Sequence, residues 1–299
     1  MTDLSTRRAT LYVATAAAAW GTGGAAGSLL FASGGLDPLD VSFWRYLLGA
    51  AFLLPLSKPR IWRVNRRVAL VGIGMAVYQT AYFAAIAESG VAVATVVTMG
   101  ATPLFTALGS RFLLGERLGG AGLLALVTAL TGLLLLTGEA AVGTAGSAPA
   151  GVGLALLSAA GYAAVTLFSR RHHDDPEGTA VGGFVVGAIC LAPFALAGGM
   201  LPEASWESVG LLLYLGAVPT ALAYALFFRA LTALSATTVS IVSLGEAAGA
   251  AVLGVVLFGE RLTPVAWFGC VLLLLAMMAP AVLTAVVTAV ARARRARAD

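Results

Sequence analysis

The sequence predicts an all-α membrane protein: ten transmembrane helices, built as two inverted five-helix repeats around a central cavity, with both termini in the cytoplasm. Three observations predict it. First, the 299 residues are 60% hydrophobic and 11% charged, whereas soluble domains carry roughly 25% charged residues. That much apolar surface needs lipid as its solvent. Second, the tetrapeptide Gly115-Glu116-Arg117-Leu118 recurs as Gly259-Glu260-Arg261-Leu262, and each copy lies between two long apolar segments. Third, lysine and arginine collect between alternate segments. A unit of five crossings is odd, so its second copy must enter the bilayer upside down, an arrangement common among secondary transporters.

A spanning helix needs about 20 mostly apolar residues. Ten stretches meet that need. They lie near 10–33, 39–57, 67–87, 91–114 and 118–138 in the first half, and near 150–170, 177–199, 206–230, 236–258 and 264–288 in the second. The Gly/Ala/Ser-rich connection around 138–149 separates the halves. The units are then 1–143, 144–290 and a basic tail, 291–299. Arg7 and Arg8 before an alanine run resemble a signal peptide. The apolar stretch continues through Trp20 to about Ser33, however, which is long enough to span a bilayer, so it reads as a retained first helix.

Ten crossings place sixteen of the eighteen lysines and arginines on one side. Arg261 lies on the other, and Arg45 lies within the second segment. Positive charge collects in the cytoplasm, which puts both termini there. The net charge of +4 and pI of about 9.4 therefore report topology rather than a nucleic-acid partner. The tail rests on anionic lipid headgroups. Cys190 and Cys270 sit far apart inside apolar segments and read as small packing residues, not a disulfide.

The repeat extends past the tetrapeptide. Ala81-Tyr82 parallels Ala223-Tyr224, Trp20 has a counterpart in Tyr162, and Thr102-Pro103 aligns with Glu246-Ala247. Trp20-Gly21, Arg45 within Phe43-Trp44-Arg45-Tyr46-Leu47-Leu48, and the two Gly-Glu-Arg-Leu junctions carry a resemblance over nearly the whole chain. It resembles EamA-type members of the drug/metabolite transporter superfamily, and is similar to the aromatic amino-acid exporters of that superfamily. Members often have a Glu-Pro pair midway along the ninth helix. This chain keeps the acid, Glu246, and has Ala247 in place of the proline. The resemblance implies export of small metabolites and does not fix which one.

Candidate substrate-binding residues follow from polarity inside apolar segments. Glu246 sits near the centre of the ninth, where a charge costs about 3 kcal/mol on insertion scales. It is either a proton acceptor, an anchor for a substrate amine, or a structural acid bonded to a neighbouring helix. Arg45 either binds a substrate carboxylate, snorkels to the outer headgroups, or pairs with Asp40 or a distant acid. Tyr78 and Tyr82 share one helix face beside Gln79. With Trp20, Tyr162 and Tyr224 they line a cavity or pack between helices. Thr95, Thr98, Thr102 and Thr106 form a hydroxyl stripe, and Ser243 lies one turn before Glu246. Pro103 removes a backbone donor, and interrupted helices are where transporters build sites; Thr22-Gly23-Gly24 similarly loosens the first segment. Pro103, Gly245, Glu116 and Glu260 are assigned structural or gating roles. The two glutamates are expected to open the fifth and tenth helices and to favour their N-termini.

His172-His173-Asp174-Asp175 reads less as a metal site than as a loop, with Asp175-Pro176 capping the seventh helix. The sequence has no His-Glu-x-x-His pair, no Gly-x-Ser-x-Gly elbow and no Walker loop. The expectation is a secondary transporter rather than an enzyme, without metal or cofactor and with proton coupling as an option. It exports small organic molecules, amino acids or related compounds first, across the plasma membrane, and it acts as a monomer. Multidrug or organic-cation efflux is the alternative. A membrane-embedded lipid-processing enzyme is a more distant one, and an interaction-only scaffold fits poorly.

Overall fold

Short polar side chains set the helix starts by bonding to N–H groups that have no partner within the helix. Asp37 accepts from the backbone of Leu39 and Asp40, and Asp40 accepts from the backbone of Asp37 in return, a reciprocal capping box. Asn65, Asp175, Ser205, Ser235 and Thr263 start later helices in the same way. The computed structural model describes residues 4–33, 36–56, 65–142, 149–198, 205–259 and 261–295. Glu260, most of the basic 58–67 loop, the centre of the seam between the halves and the tip of the tail lie outside the described residues.

The described chain forms α1 (Thr6–Ser33), α2 (Pro38–Leu53), α3 (Arg66–Ser89), α4 (Val93–Leu114), α5 (Gly120–Val142), α6 (Pro149–Arg171), α7 (Pro176–Gly198), α8 (Trp206–Ala230), α9 (Ala236–Leu257) and α10 (Pro264–Arg295). Among the described residues there is no strand. Seven helices, α3 to α9, are long and apolar enough to cross a membrane, and α10 carries a shorter apolar stretch, Pro264–Ala279.

Helical hydrogen bonding runs unbroken from Arg66 to Gly109, yet the chain reverses within it. Tyr82 and Thr95 are thirteen residues apart, about 20 Å along a straight helix, and their hydroxyls lie 2.7 Å apart. α3 and α4 are therefore an antiparallel pair. Both lie along α6: Ser158 donates to the Tyr78 carbonyl at 2.9 Å, and Thr98 donates to the Ala155 carbonyl at 3.1 Å.

The two halves interleave. α6 packs on α3 and α4, and α1 packs on α8 and α9. α2 packs on α7, and α5 on α10. Exchanging each helix of the first half with the one five places later reproduces the same set of pairs. Tyr46 of α2 stacks on Phe184 of α7 at 5.6 Å, and both are fully buried with Met75, Phe227 and Phe228.

The repeated tetrapeptide has one backbone meaning. Gly115 and Gly259 are the glycines with positive φ among the described residues, at 69° and 66°. Each ends a helix in the left-handed conformation, where a side chain costs about 1–2 kcal/mol. The copies sit at opposite ends of the bundle. Glu116 meets the N–H of Ala236, the first residue of α9. From there the 22 residues of α9 run about 33 Å to the second copy.

α5 and α10 cross backbone to backbone. A Cβ on Gly269 would stand 2.6 Å from both the Gly132 carbonyl oxygen and the Leu136 nitrogen. Gly269→Ala is expected to destabilise the protein by about 1–3 kcal/mol, read as a lower unfolding temperature in detergent. Gly138→Ala, where a Cβ meets nothing within 4 Å, serves as the silent control.

Candidate functional site

The helices that the two halves exchange meet around a cavity of about 180 Å³. α1 brings Trp20, α2 Arg45, α3 Tyr78, Gln79 and Tyr82, and α4 Thr102. From the second half, α6 brings Tyr162, α8 Tyr224, and α9 Ser243 and Glu246. All ten residues singled out from the sequence for substrate binding thus lie on one wall or another of the same cavity. Thr98, Met99, Ser158, Ser240 and Leu244 line it as well. Ser240 carried a signal: it stands three residues before Ser243 and six before Glu246, on one helical face. Ser158 carried none, because its place depends on how α6 meets α3.

The aromatic walls obey the internal repeat. Trp20 of α1 meets Tyr224 of α8 edge-on at 5.1 Å, and Tyr162 of α6 meets Tyr78 of α3 edge-on at 5.4 Å. Trp20 and Tyr162 are therefore counterparts, and so are Tyr78 and Tyr224. This corrects the pairing of Tyr82 with Tyr224 by one helical turn. The Tyr78 and Tyr224 hydroxyls meet at 2.5 Å, and Tyr82 instead bonds to Thr95. Of the threonine stripe, Thr102 and Thr106 donate to carbonyls of their own helix.

Two opposite charges face the cavity. Arg45 donates Nε to Thr220 Oγ1 at 3.3 Å. Thr220 in turn donates to the Leu215 carbonyl across a widened π turn of α8, Ala217–Leu222. Among the described residues neither Arg45 nor Glu246 takes part in an ion pair. Among the described residues, the buried Trp20 Nε1 and Ser240 Oγ have no protein partner, and both residues line the cavity.

Pro103 does not end its helix. α4 stays helical through it. α1 is continuous through Thr22-Gly23-Gly24. It is α9 that is irregular, at Leu244, where a single residue with helical dihedrals joins Ala236–Ser243 to Gly245–Phe258 through tighter, three-residue hydrogen bonds. That tight turn falls directly before Gly245-Glu246. Gly245 packs against Met277 of α10.

Glu116 does not open its own helix; α5 begins four residues later, at Gly120. Glu116 instead binds Arg170 Nε at 2.9 Å and accepts from Ala236 N at 3.3 Å. Arg170 also donates to the Leu231 carbonyl at 2.7 Å. One glutamate thereby ties the α4–α5 link to the end of α6 and the α8–α9 link. Arg67–Asp174 and Arg229–Glu177 lie at the same end of the bundle. His172 and His173 each bond to a backbone carbonyl of α6, and Asp175 caps α7.

The EamA-like transporter family matches residues 7–138 and again 149–279. An uncharacterized transporter of Bacillus subtilis, YwfM, is 33% identical over 90% of this chain and 92% of its own. An uncharacterized transporter of Archaeoglobus fulgidus is 30% identical over 77% of this chain and 81% of its own. A solved crystal structure superposes with a TM-score of 0.80 at 24% identity, covering 92% of this chain and 96% of its own, which shows a shared fold. With the family matching both halves in turn, the chain belongs to the EamA-like transporter family, within the drug/metabolite transporter superfamily.

Proposed function

We propose that the protein exports small zwitterionic metabolites, amino acids or related compounds, by alternating access across the plasma membrane. The observation that carries this reading is a guanidinium and a carboxylate, neither in an ion pair among the described residues, facing one small cavity. Arg45 receives a substrate carboxylate and Glu246 a substrate ammonium. Trp20 Nε1 and Ser240 Oγ supply further hydrogen bonds, and the tyrosines stack on the side chain. A volume of about 180 Å³ favours small metabolites over drug-sized ligands, whose pockets run to roughly 300–1,000 Å³. The five aromatic rings suit an organic cation as well, which keeps cation efflux as the second reading.

In this proposal ten helices cross the bilayer as repeats 1–143 and 144–290. Both termini and the basic tail 291–299 are cytoplasmic, and the monomer is the working unit. Energy comes from the substrate gradient or from proton motive force, with Glu246 as the group that would carry a proton. No cofactor takes part. The Glu116–Arg170 cluster closes the cytoplasmic end, and its release accompanies rocking of one repeat against the other.

Two experiments test this. In proteoliposomes, Glu246→Gln and Arg45→Gln are each expected to slow counterflow of the accepted amino acid about tenfold or more, the loss of one charge-assisted hydrogen bond. Wild-type rates in both variants would reject the zwitterion site. Normal dye efflux in Arg45→Gln with failure in Glu246→Gln would favour cation efflux instead. Separately, Arg170→Ala is expected to raise labelling of a cysteine at position 243 from the cytoplasmic side about fivefold, in a chain lacking Cys190 and Cys270. The swap Glu116→Arg with Arg170→Glu should reverse the increase. Unchanged labelling would contradict the closing role.

A further inference from the structure

A second hollow of about 720 Å³ lies away from the cavity, where α4 passes α6. Its α4 wall is bulky, with Leu108, Phe112 and Leu113 exposed at 58%, 74% and 62%. Its α6 wall is shallow at one end, where Ala160, Ala163 and Ala164 line it, and bulkier toward Arg171, where Leu167 and Phe168 do. The π turn Ser110–Leu114 carries Phe112 and Leu113 at the rim. The groove is apolar throughout, except at one end, where Arg171 and His172 border it.

Its length has a physical meaning. From Ala160 to His172 is twelve residues of α6, about 18 Å. Half of a hydrocarbon core about 30 Å thick is about 15 Å. The groove therefore runs one leaflet deep, from headgroup level to near the midplane, and its cationic end is at the headgroups. That holds whichever leaflet faces the cytoplasm.

The cationic end is built to stay available. Arg171 donates Nη1 to the Leu113 carbonyl at 3.2 Å, which lays the guanidinium across the groove mouth, and its other donors have no partner among the described residues. The His172 ring is held over Phe168, at 4.4 Å between centroids, and its Nδ1 bonds to the Phe168 carbonyl at 3.0 Å. Nε2 then points away from that bond. Of the nearby acids, Glu116 pairs with Arg170 and Asp175 caps α7, while Asp174 stands in solvent 3.9 Å from Arg67. A positive mouth over an apolar groove one leaflet long matches one ligand chemistry.

We propose that this groove holds one acyl chain of an anionic phospholipid, with its phosphate on Arg171 and His172. The test uses the full chain purified in mild detergent and titrated with phosphatidylglycerol or phosphatidylcholine, with bound lipid read by native mass spectrometry. Phosphatidylglycerol is expected to be retained about fivefold more tightly (about 1 kcal/mol). In R171Q/H172Q that preference should vanish while phosphatidylcholine binding stays as in the wild type. Ala164→Phe, which fills the groove, should lose one bound lipid of either kind. Equal retention of the two lipids by the wild type would overturn the proposal. So would an unchanged preference in R171Q/H172Q, or a dimer that Ala164→Phe abolishes, since a second copy would then fill the groove.

Discussion

The first helix of each half packs on the third and fourth helices of the other half, and the rest of the structure depends on that exchange. Neither α1 nor α6 can bury its face within its own repeat, so the halves stand or fall together. The cavity forms where the two exchanged groups meet. Its aromatic walls consequently pair one residue from each half, Trp20 with Tyr224 and Tyr162 with Tyr78. The approach is close enough to exclude a side chain. A Cβ on Gly21 would lie 3.0 Å from the Glu246 carbonyl oxygen and from the Ala250 nitrogen, so Gly21 sets how near α1 comes to the acid on α9.

That closeness has an electrostatic consequence. A lone carboxylate near the bilayer centre costs about 3 kcal/mol or more. Here it faces a hollow that also holds Arg45, several hydroxyls and an indole N–H without a protein partner among the described residues. The tight turn of α9 at Leu244 and the π turn of α8 beside Arg45 make two of the helices near these groups irregular. Irregular backbone is tolerated at membrane depth where it lines a cavity. The same reasoning explains why ion pairs among the described residues gather at one end of the bundle. These pairs join the links between helices at that end.

Much of this was legible in the sequence because it rests on local chemistry. Left-handed caps demand glycine, so Gly115 and Gly259 announced the duplication. Polar side chains inside apolar segments must find a cavity or a partner, so Glu246, Arg45 and the tyrosines pointed to one place. What was not legible depends on tertiary register. Tyr82 and Tyr78 are alike in sequence, and only the meeting of α3 with α6 and α8 selects Tyr78 as the counterpart of Tyr224. Pro103 looked like the helix interruption, yet α4 stays helical through it, and the tight turn of α9 falls at Leu244, which no residue type flags. Glu116 looked like an N-terminal acid of its own helix, and its partners, Arg170 and Ala236, lie 54 and 120 positions away in the chain.

Sidedness of the duplicated tetrapeptide tests the account most directly. With Cys190 and Cys270 replaced by alanine, Leu118→Cys and Leu262→Cys are each treated with an impermeant maleimide on sealed vesicles of known orientation. Modification of position 118 from the cytoplasmic face and of position 262 from the opposite face is the result the inverted architecture requires. Modification of both from one face would contradict it, and with it the shared cavity between the halves.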